Sequence, residues 1–435
     1  MSGRIAFVNA RLVDPASDRD ERGAVLVENG VIADIGPRLF AEGVPHGIDK
    51  IDCNGHVLAP ALIDMRVHLR EPGEEEKETI ETATAAAAAG GIGTVVALPN
   101  TDPPIDNPAM VEFVVRRGRE AGGVRVEAYA ALTQGTKGQR MTELGLLSAA
   151  GAVAFTDGTN AVSNPLVMRR ILAYASAFGL LVVQHPDVPE LTEGGAMNEG
   201  ELATRLGLSG ISPAAEAMLI ERDLRLVAMT GARYHVAHVS TGEAVDLIRR
   251  AKERGLPVTC DTAPPYFGLN ETAVGDWRTF AKVFPPLRSE SDRQAIVAGL
   301  ADGTIDAIAS DHAPQDQEAK RLPFIQAEAG AVGLETLLPL TLELVHTKRL
   351  SLKAALALLT SRPAAILDLP RGRLARGAPA DLTVIDIDRP WKIDEAALLS
   401  KSKNTPFGGR PVQGHALRTV VAGHTVYEAG AERRR

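Results

Sequence analysis

The 435-residue chain has a composition typical of globular proteins, with 45% apolar and 23% charged residues. Its net charge of −8, with no long basic run before Arg433-Arg434-Arg435, argues against nucleic acid as the main partner. Cys53 and Cys260 are too few and too far apart for a disulfide framework or a thiolate zinc site. No amino-terminal signal and no apolar stretch approaching the roughly 18 residues that span a bilayer is present, so we expect a cytoplasmic protein without membrane contact.

Both ends of the chain carry short segments with the pattern of β-strands. These are residues 5–8, 24–28, 31–35 and 51–53 at the amino end and residues 381–386 and 418–427 at the carboxyl end. Gly30 and Asn54-Gly55 supply turn residues between the first segments. Neither end has enough strands for a stable sheet alone, so we expect both to pair into one small β-sandwich. A separate amino-terminal module is the alternative.

Between the two ends, apolar strand candidates alternate with helical stretches. The strand candidates are residues 61–67, 94–98, 126–132, 152–155, 180–184, 234–238, 256–260 and 304–309, and the helical stretches include residues 76–89, 164–178 and 241–254. Eight strands with crossover helices over about 250 residues predict an α/β fold, the (β/α)8 TIM barrel. A doubly wound open sheet is the alternative, but no glycine-rich phosphate-binding sequence follows an early strand. We place the barrel at residues 58–372 and the composite β-sandwich at residues 1–57 and 373–435.

The first barrel strand candidate ends in alternating polar residues. The apolar run that begins at Leu58 is followed by Asp64, Arg66, His68 and Arg70. Alternate residues of a strand share a face, so Arg66, His68 and Arg70 are predicted to point into one pocket. Active sites of such barrels lie at the carboxyl ends of the strands, which makes this pocket a candidate functional site.

Other predicted strand ends carry polar side chains as well. They supply Asn100, Asp157, His185, His238, Asp311 and His312. With His68, these ends hold four of the ten histidines of the chain. A lone histidine at a strand end is more often structural, but several on separate strands with an aspartate indicate a metal site. Imidazole and carboxylate are the ligands that Zn²⁺ selects.

Further motifs lie in order along nearly the whole chain. Beside Asp64-Met-Arg-Val-His-Leu-Arg-Glu-Pro-Gly73 they are Leu98-Pro-Asn-Thr-Asp-Pro-Pro104, His235-Val-Ala-His-Val-Ser-Thr241, Pro285-Pro-Leu-Arg288, Asp302-Gly-Thr-Ile-Asp306, Ser310-Asp-His-Ala-Pro314, Gly333-Leu-Glu-Thr336 and Ser402-Lys-Asn-Thr-Pro-Phe407. Together they resemble the dihydroorotases of the amidohydrolase superfamily. The resemblance implies the reversible conversion of carbamoyl aspartate to dihydroorotate in pyrimidine biosynthesis.

Position by position, the resemblance implies roles for the residues at the strand ends. The implied metal ligands are His68, Asp157, His185, His238 and Asp311. Asp311 would also be the catalytic proton shuttle, while Arg70 and Asn100 would bind the substrate carboxylate. A Zn²⁺ ion would acidify a water molecule for attack on the ring amide. Alternatively, Arg70 forms a surface ion pair with a glutamate of residues 74–76.

The first motif departs from the family pattern Asp-x-His-x-His, because Arg66 stands at the first histidine position. A guanidinium is charged and offers no accessible lone pair, so Arg66 cannot bind a cation. We expect it to abolish one of the two family metal sites and to pair with Asp311. One Zn²⁺ ion per chain at His185 and His238, or none, would remain.

Further departures lie in the same pocket. Asp157 stands alone where the family often has two carboxylates, Phe284 stands where an asparagine is frequent, and Gln315 stands where a histidine is common. Since the scaffold motifs are intact, these changes indicate relaxed or altered chemistry.

The segment after Gln315, residues 316–324, is predicted to be a flexible loop. Loops at this place in such barrels often close over substrate. Lys320 and Arg321 are expected at the surface, as charged residues of a loop tip usually are.

The residues therefore support functions from different classes. The first is a cyclic amidohydrolase of dihydroorotase type with a reduced metal site. The second is a non-catalytic, dihydroorotase-like subunit that supports aspartate carbamoyltransferase, which Arg66, Phe284 and Gln315 favour. An amidohydrolase for another cyclic amide is a third hypothesis. We also expect a homo-oligomer and, for the enzyme, a small-molecule substrate.

Overall fold

The computed structural model describes residues 3–431, so the run Arg433-Arg434-Arg435 lies outside the described residues. The strands are β1 (Arg4–Asp14), β2 (Arg19–Glu28), β3 (Val31–Gly36), β4 (Asp49–Asp52), β5 (Val57–Pro60), β6 (Leu62–Val67), β7 (Ile92–Ala97), β8 (Arg125–Ala130), β9 (Ala152–Phe155), β10 (Leu181–Gln184), β11 (Met197–Asn198), β12 (Gly210–Ile211), β13 (Arg233–Val236), β14 (Val258–Thr262), β15 (Ala307–Ile308), β16 (Leu382–Lys392), β17 (Pro411–Val421) and β18 (His424–Glu428). The α-helices are α1 (Ile80–Ala89), α2 (Pro108–Ala121), α3 (Leu144–Ala149), α4 (Pro165–Ala177), α5 (Pro189–Thr192), α6 (Glu201–Leu206), α7 (Ala214–Thr230), α8 (Gly242–Glu253), α9 (Pro264–Gly268), α10 (Glu290–Asp302), α11 (Gln317–Arg321), α12 (Leu337–His346), α13 (Leu352–Leu359) and α14 (Ser361–Ile366). Within residues 3–431, no helix combines the length and apolar character needed to cross a membrane.

Eight parallel strands form the central barrel. They pair in the order β6, β7, β8, β9, β10, β13, β14 and β15. Val67 at the end of β6 bridges His312 beyond β15, and the His68 amide donates to the His312 carbonyl at 2.9 Å. These contacts join the first strand to the last. The predicted TIM barrel is therefore confirmed, and the doubly wound alternative is wrong.

The barrel interior is filled by large apolar side chains. Met65 and Tyr129 are among the buried residues that pack together there, and Ile366 of α14 belongs to the same cluster. Arg233 at the start of β13 donates to the Ile366 carbonyl at 2.8 Å, which places α14 at the amino-terminal end of the strands. That end is closed by packing, so the carboxyl ends are left for function.

Helix α1 shows how local sequence positions the barrel helices. Thr79 caps it, because the Thr79 hydroxyl accepts a hydrogen bond from the Thr82 amide at 3.2 Å. The predicted start at residue 76 is wrong, since this cap begins the helix at Ile80. Ala83 and Ala86 are fully buried, and their small side chains let α1 pack closely on the barrel.

The two ends of the chain form a second sheet of eight strands. The strand order is β18, β17, β16, β5, β1, β2 and β3, with β4 also paired to β1. The ends meet where β16 runs antiparallel to β5, with Leu382 opposite Pro60. The predicted pairing of both ends is therefore observed, and a separate amino-terminal module is wrong. The predicted boundary at residues 57 and 58 falls within β5, and the division into domains stays a prediction.

A partly buried ion pair joins the second sheet to the barrel. Arg125 of β8 forms a two-pronged contact with Asp381, with Nε and Nη2 donating at 2.7 and 3.0 Å. Asp381 also accepts from the Ala422 amide at 2.7 Å, and its side chain is 5% exposed. The contact fixes the returning end of the chain beside the third barrel strand.

Candidate active site

Chemically active side chains from separate strands meet at the carboxyl ends of the barrel strands. His185 follows β10, His238 follows β13 and Asp311 follows β15. His185 Nδ1 lies 2.7 Å from His238 Nε2. His238 Nδ1 lies 3.3 Å from Asp311 Oδ2, without the alignment of a hydrogen bond. The structure brings these three residues together, and their roles stay predictions.

Arg66 supplies a permanent positive charge to this cluster. Its side chain is 2% exposed, and Nε donates to Asp311 Oδ1 at 2.7 Å, as expected from the sequence. Among the described residues, Arg66 Nη1 is buried without a hydrogen-bond partner. Burial alone would raise the Asp311 pKa, but His238 and Arg66 hold that pKa well below its usual range.

Burial keeps the imidazoles of His68 and His185 uncharged. The pKa of His68 lies well below the ordinary value, first because of burial and then because Arg70 and Arg66 repel a proton. The pKa of His185 is lowered in the same direction by burial, His238 and Arg66. A neutral imidazole has one N–H and one lone pair, so the short His185–His238 contact is a hydrogen bond between rings.

The two predicted substrate-binding side chains have partners within the protein. Arg70 Nη1 donates to Glu74 at 2.5 Å, and the Arg70 side chain is 10% exposed. The alternative ion pair is thus present, although it is largely buried. Asn100 donates to the Asp157 carbonyl at 3.1 Å and accepts from the Thr159 amide at 3.1 Å. The NH2 group and the oxygen of the Asn100 side chain therefore both bind the segment after β9 and join it to the end of β7.

The Asp157 carboxylate contacts the loop that follows β8. The Thr133 amide donates to Asp157 Oδ1 at 2.9 Å, and the Thr133 hydroxyl donates to Oδ2. Burial raises the Asp157 pKa to about 6, against the opposing effect of these hydrogen bonds. Because both oxygens are engaged by Thr133, the geometry supports a structural role and does not support the predicted metal ligand.

Comparison with known proteins agrees with this architecture. Residues 55–244 match a family described as Dihydro-orotase-like, and residues 275–427 match the Amidohydrolase family. The dihydroorotase of Wolbachia sp. subsp. Brugia malayi (strain TRS) is 46% identical, covering 98% of this chain and 96% of the relative. The dihydroorotase of Anaplasma phagocytophilum (strain HZ) is 47% identical, covering 98% and 95%. The chain belongs to the dihydroorotase family.

Solved structures related to this dihydroorotase-family protein share its fold. The L-hydantoinase (dihydropyrimidinase) from Arthrobacter aurescens superposes with a TM-score of 0.87 at 27% identity, covering 99% of this chain and 97% of the other. The dihydropyrimidinase from Brevibacillus agri NCHU1002 has a TM-score of 0.84 at 21% identity, covering 98% and 95%. The second likeness concerns the fold alone.

The zinc ion that the dihydroorotase resemblance implies does not fit the side chains as they are arranged. Within residues 3–431, no cluster of three or more histidine, cysteine, aspartate or glutamate side chains could hold a metal ion. Two nitrogens on one tetrahedral Zn²⁺ would lie about 3.3 Å apart, farther than His185 Nδ1 and His238 Nε2. The other ring nitrogens, His185 Nε2 and His238 Nδ1, face away from this contact. Asp311, the third candidate ligand, is bound to Arg66.

Tyr266 is a pocket residue that the sequence reasoning did not assign. Its hydroxyl donates to the Pro285 carbonyl at 3.1 Å and lies 3.5 Å from Asp311 Oδ2. Tyr266 is in α9, directly after β14. Its position beyond the seventh barrel strand was the signal that could have identified it.

The two unusual residues Phe284 and Gln315 occupy different places around the pocket. The Phe284 ring packs on His185 with 5.2 Å between ring centroids, so it covers an imidazole with an apolar surface. The Gln315 side chain donates to the Ala329 carbonyl at 2.8 Å. Gln315 thereby fixes the segment after β15, and its amide nitrogen is engaged within the protein.

Lys320 is buried, so its predicted surface position is wrong. Its ammonium donates to the carbonyls of Thr279, Lys282 and Glu328 at 3.1, 3.2 and 2.6 Å, and the residue is 2% exposed. The segment after Gln315 contains α11, and the bonds to Thr279 and Lys282 attach it to the loop between β14 and α10.

Proposed function

We propose that the protein is a cyclic amidohydrolase of the dihydroorotase type that interconverts carbamoyl aspartate and dihydroorotate. The supporting observation is the convergence of His185, His238 and Asp311 at the carboxyl ends of three barrel strands. This convergence occurs in a chain whose relatives across 98% of its length are dihydroorotases. Small-molecule substrates follow from this proposal, whereas a homo-oligomer rests on the resemblance alone.

Asp311 is the residue best placed to move a proton in this reaction. Its side chain is 12% exposed, whereas those of Arg66 and His238 are 2% and 1% exposed, so Asp311 can meet a substrate. In hydrolysis, Asp311 would take a proton from the attacking water and deliver it to the amide nitrogen as the C–N bond breaks. Ring closure would move the proton in reverse. Because Asp311 Oδ1 is bound to Arg66 Nε at 2.7 Å, proton transfer competes with this ion pair and we expect slow turnover.

Asp311→Asn is the direct test of this role. The amide cannot shuttle a proton, so turnover of dihydroorotate should fall by about 10²- to 10⁴-fold, measured as carbamoyl aspartate formed. Asp368→Asn is the matched control, because its 70% exposed side chain lies in a surface ion pair with Arg233. That variant should keep wild-type turnover. Equal rates in wild type and Asp311→Asn would disprove the proposed role.

The Arg66–Asp311 ion pair favours a second function. It occupies an oxygen of the predicted proton shuttle, which suits a non-catalytic subunit that supports aspartate carbamoyltransferase. This candidate predicts no turnover by the wild type, co-purification with the transcarbamoylase and loss of transcarbamoylase activity when the present chain is removed. Detectable turnover that depends on Asp311 would exclude it.

A further inference from the structure

Arg66 is held rigidly at the seam where the first and last barrel strands meet. Its backbone amide donates to Asp64 Oδ1 at 3.2 Å, and the same oxygen accepts from the Ser310 amide at 3.0 Å. Asp64 is fully buried, so this junction is shielded from solvent. The guanidinium therefore projects from a fixed backbone position, and its charge is a permanent part of the pocket.

Within residues 3–431, Asp311 is the carboxylate that forms an ion pair with Arg66. Asp311 lies 2.7 Å from Arg66 Nε, while the Asp157 carboxylate is engaged by Thr133. Charges attract or repel strongly in a buried pocket, where water screens them poorly. A divalent cation on Asp311 would have to displace Arg66 or remain beside its like charge.

The ring nitrogens of His185 and His238 that face each other are also occupied. His185 Nδ1 and His238 Nε2 form a ring-to-ring hydrogen bond of 2.7 Å. To bind a common metal ion, the rings would have to separate and lose that bond. Both residues are 1% exposed, so movement would require repacking of their surroundings.

From these three observations we infer that Arg66 replaces the divalent cation of the family: the pocket is charge-balanced by the Arg66–Asp311 pair and folds without a metal ion. The inference concerns the same site as the proposed function, but it rests on geometry and does not require turnover.

Metal content of the wild-type protein, purified without chelator, tests the inference without any substitution. After dialysis against Zn²⁺ and removal of free ion, elemental analysis should find far less than one metal ion per chain. Addition of EDTA should leave the Tm unchanged, because no ion contributes to folding. About one tightly held ion per chain, or a Tm that falls with EDTA, would overturn the inference.

Two substitutions show whether the Arg66 charge excludes the metal. Arg66→His removes the charge and adds an imidazole, so zinc content should rise toward about one ion per chain, with a Tm that becomes sensitive to EDTA. Arg66→Lys keeps a positive charge and should stay metal-free. Equal zinc content in both variants, with folding verified by circular dichroism, would refute the role of Arg66. If Arg66→His does not fold, the wild-type measurement decides.

Turnover separates this inference from the proposed enzyme function. A metal-free wild type that converts dihydroorotate supports both, whereas a metal-free and inactive one supports the inference and removes the proposed function. A stoichiometric metal ion in an active enzyme supports the function and overturns the inference.

Discussion

Arg70, His238 and Asp311 share a left-handed backbone conformation, with φ angles of 61°, 38° and 52°. Such conformations cost residues other than glycine about 1 to 3 kcal/mol each and persist only where surrounding contacts hold them. At His238 the contact is a 2.6 Å hydrogen bond from its amide to Asp261. The contacts that hold this strained backbone also fix the directions of the three side chains in the pocket.

Gly158, beyond β9, lies close to Asn100, beyond β7, so a substitution at Gly158 shows how closely these two strand ends must approach. Its φ is +68°, and an added Cβ would lie 1.5 Å from Asn100 Oδ1. Asn100 would have to turn away and lose its hydrogen bonds to the Asp157 carbonyl and the Thr159 amide. Gly158→Ala should therefore lower the free energy of unfolding by about 2 to 3 kcal/mol, measured by urea denaturation. Gly179→Ala is the matched control, because Gly179 has a φ of +66° with no atom within 4 Å of the added Cβ. It should cost about 1 kcal/mol from backbone strain alone.

A Gly158→Ala variant as stable as Gly179→Ala would show that Asn100 can move aside. The close packing of the two strand ends would then not be a requirement of the fold.

Helices and strands were predicted more successfully than the segments between them. The barrel strands could be predicted from apolar runs in the sequence, because a parallel strand is buried on both faces. Lys320 shows why the loops were harder. Its three carbonyl acceptors come partly from residues 279 and 282, and no local pattern indicates that a lysine will meet them.

Glu335, just before α12, gives a pH-dependent stability that can be measured. It accepts hydrogen bonds from the Leu399 and Ser400 amides at 2.6 and 3.2 Å, and burial raises its pKa from 4.5 to about 7. The folded state therefore holds the proton more tightly than the unfolded state. The bound proton therefore contributes its whole stabilising free energy below pH 4.5, and this contribution is lost as the pH rises to about 7.

Glu335→Gln should remove this dependence, because the amide accepts the same hydrogen bonds without titrating. The unfolding free energy of the variant minus that of the wild type should grow by about 3 kcal/mol across that interval and stay constant above it. Urea denaturation at a series of pH values provides the measurement. A difference that does not change with pH would contradict the proposed burial of the proton.

In the whole molecule, the second sheet packs on the barrel through a shared apolar core and several polar contacts, and Arg125–Asp381 is a two-pronged contact among them. Arg125→Met would leave Asp381 buried without its cation and should lower the free energy of unfolding by about 3 kcal/mol. Arg4→Met is the matched control, because the Arg4–Glu28 pair is 49% and 33% exposed and lies within the sheet. It should cost less than about 1 kcal/mol. Equal losses in calorimetric or urea unfolding would show that the inter-sheet ion pair is not a special attachment.

By itself, the sequence determined the barrel, the pairing of the two ends and the family, because these follow from apolar periodicity and from ordered motifs. It also placed Arg66 against Asp311, since an unpaired guanidinium in a buried pocket is costly. Only the tertiary structure decided that His185 and His238 bond to each other, that Asp157 is held by Thr133, and that Asn100 joins two strand ends. Those outcomes depend on which side chains the fold brings from distant segments to within hydrogen-bonding distance. A sequence motif specifies which residue stands at a position. Three-dimensional packing determines which side chain that residue contacts.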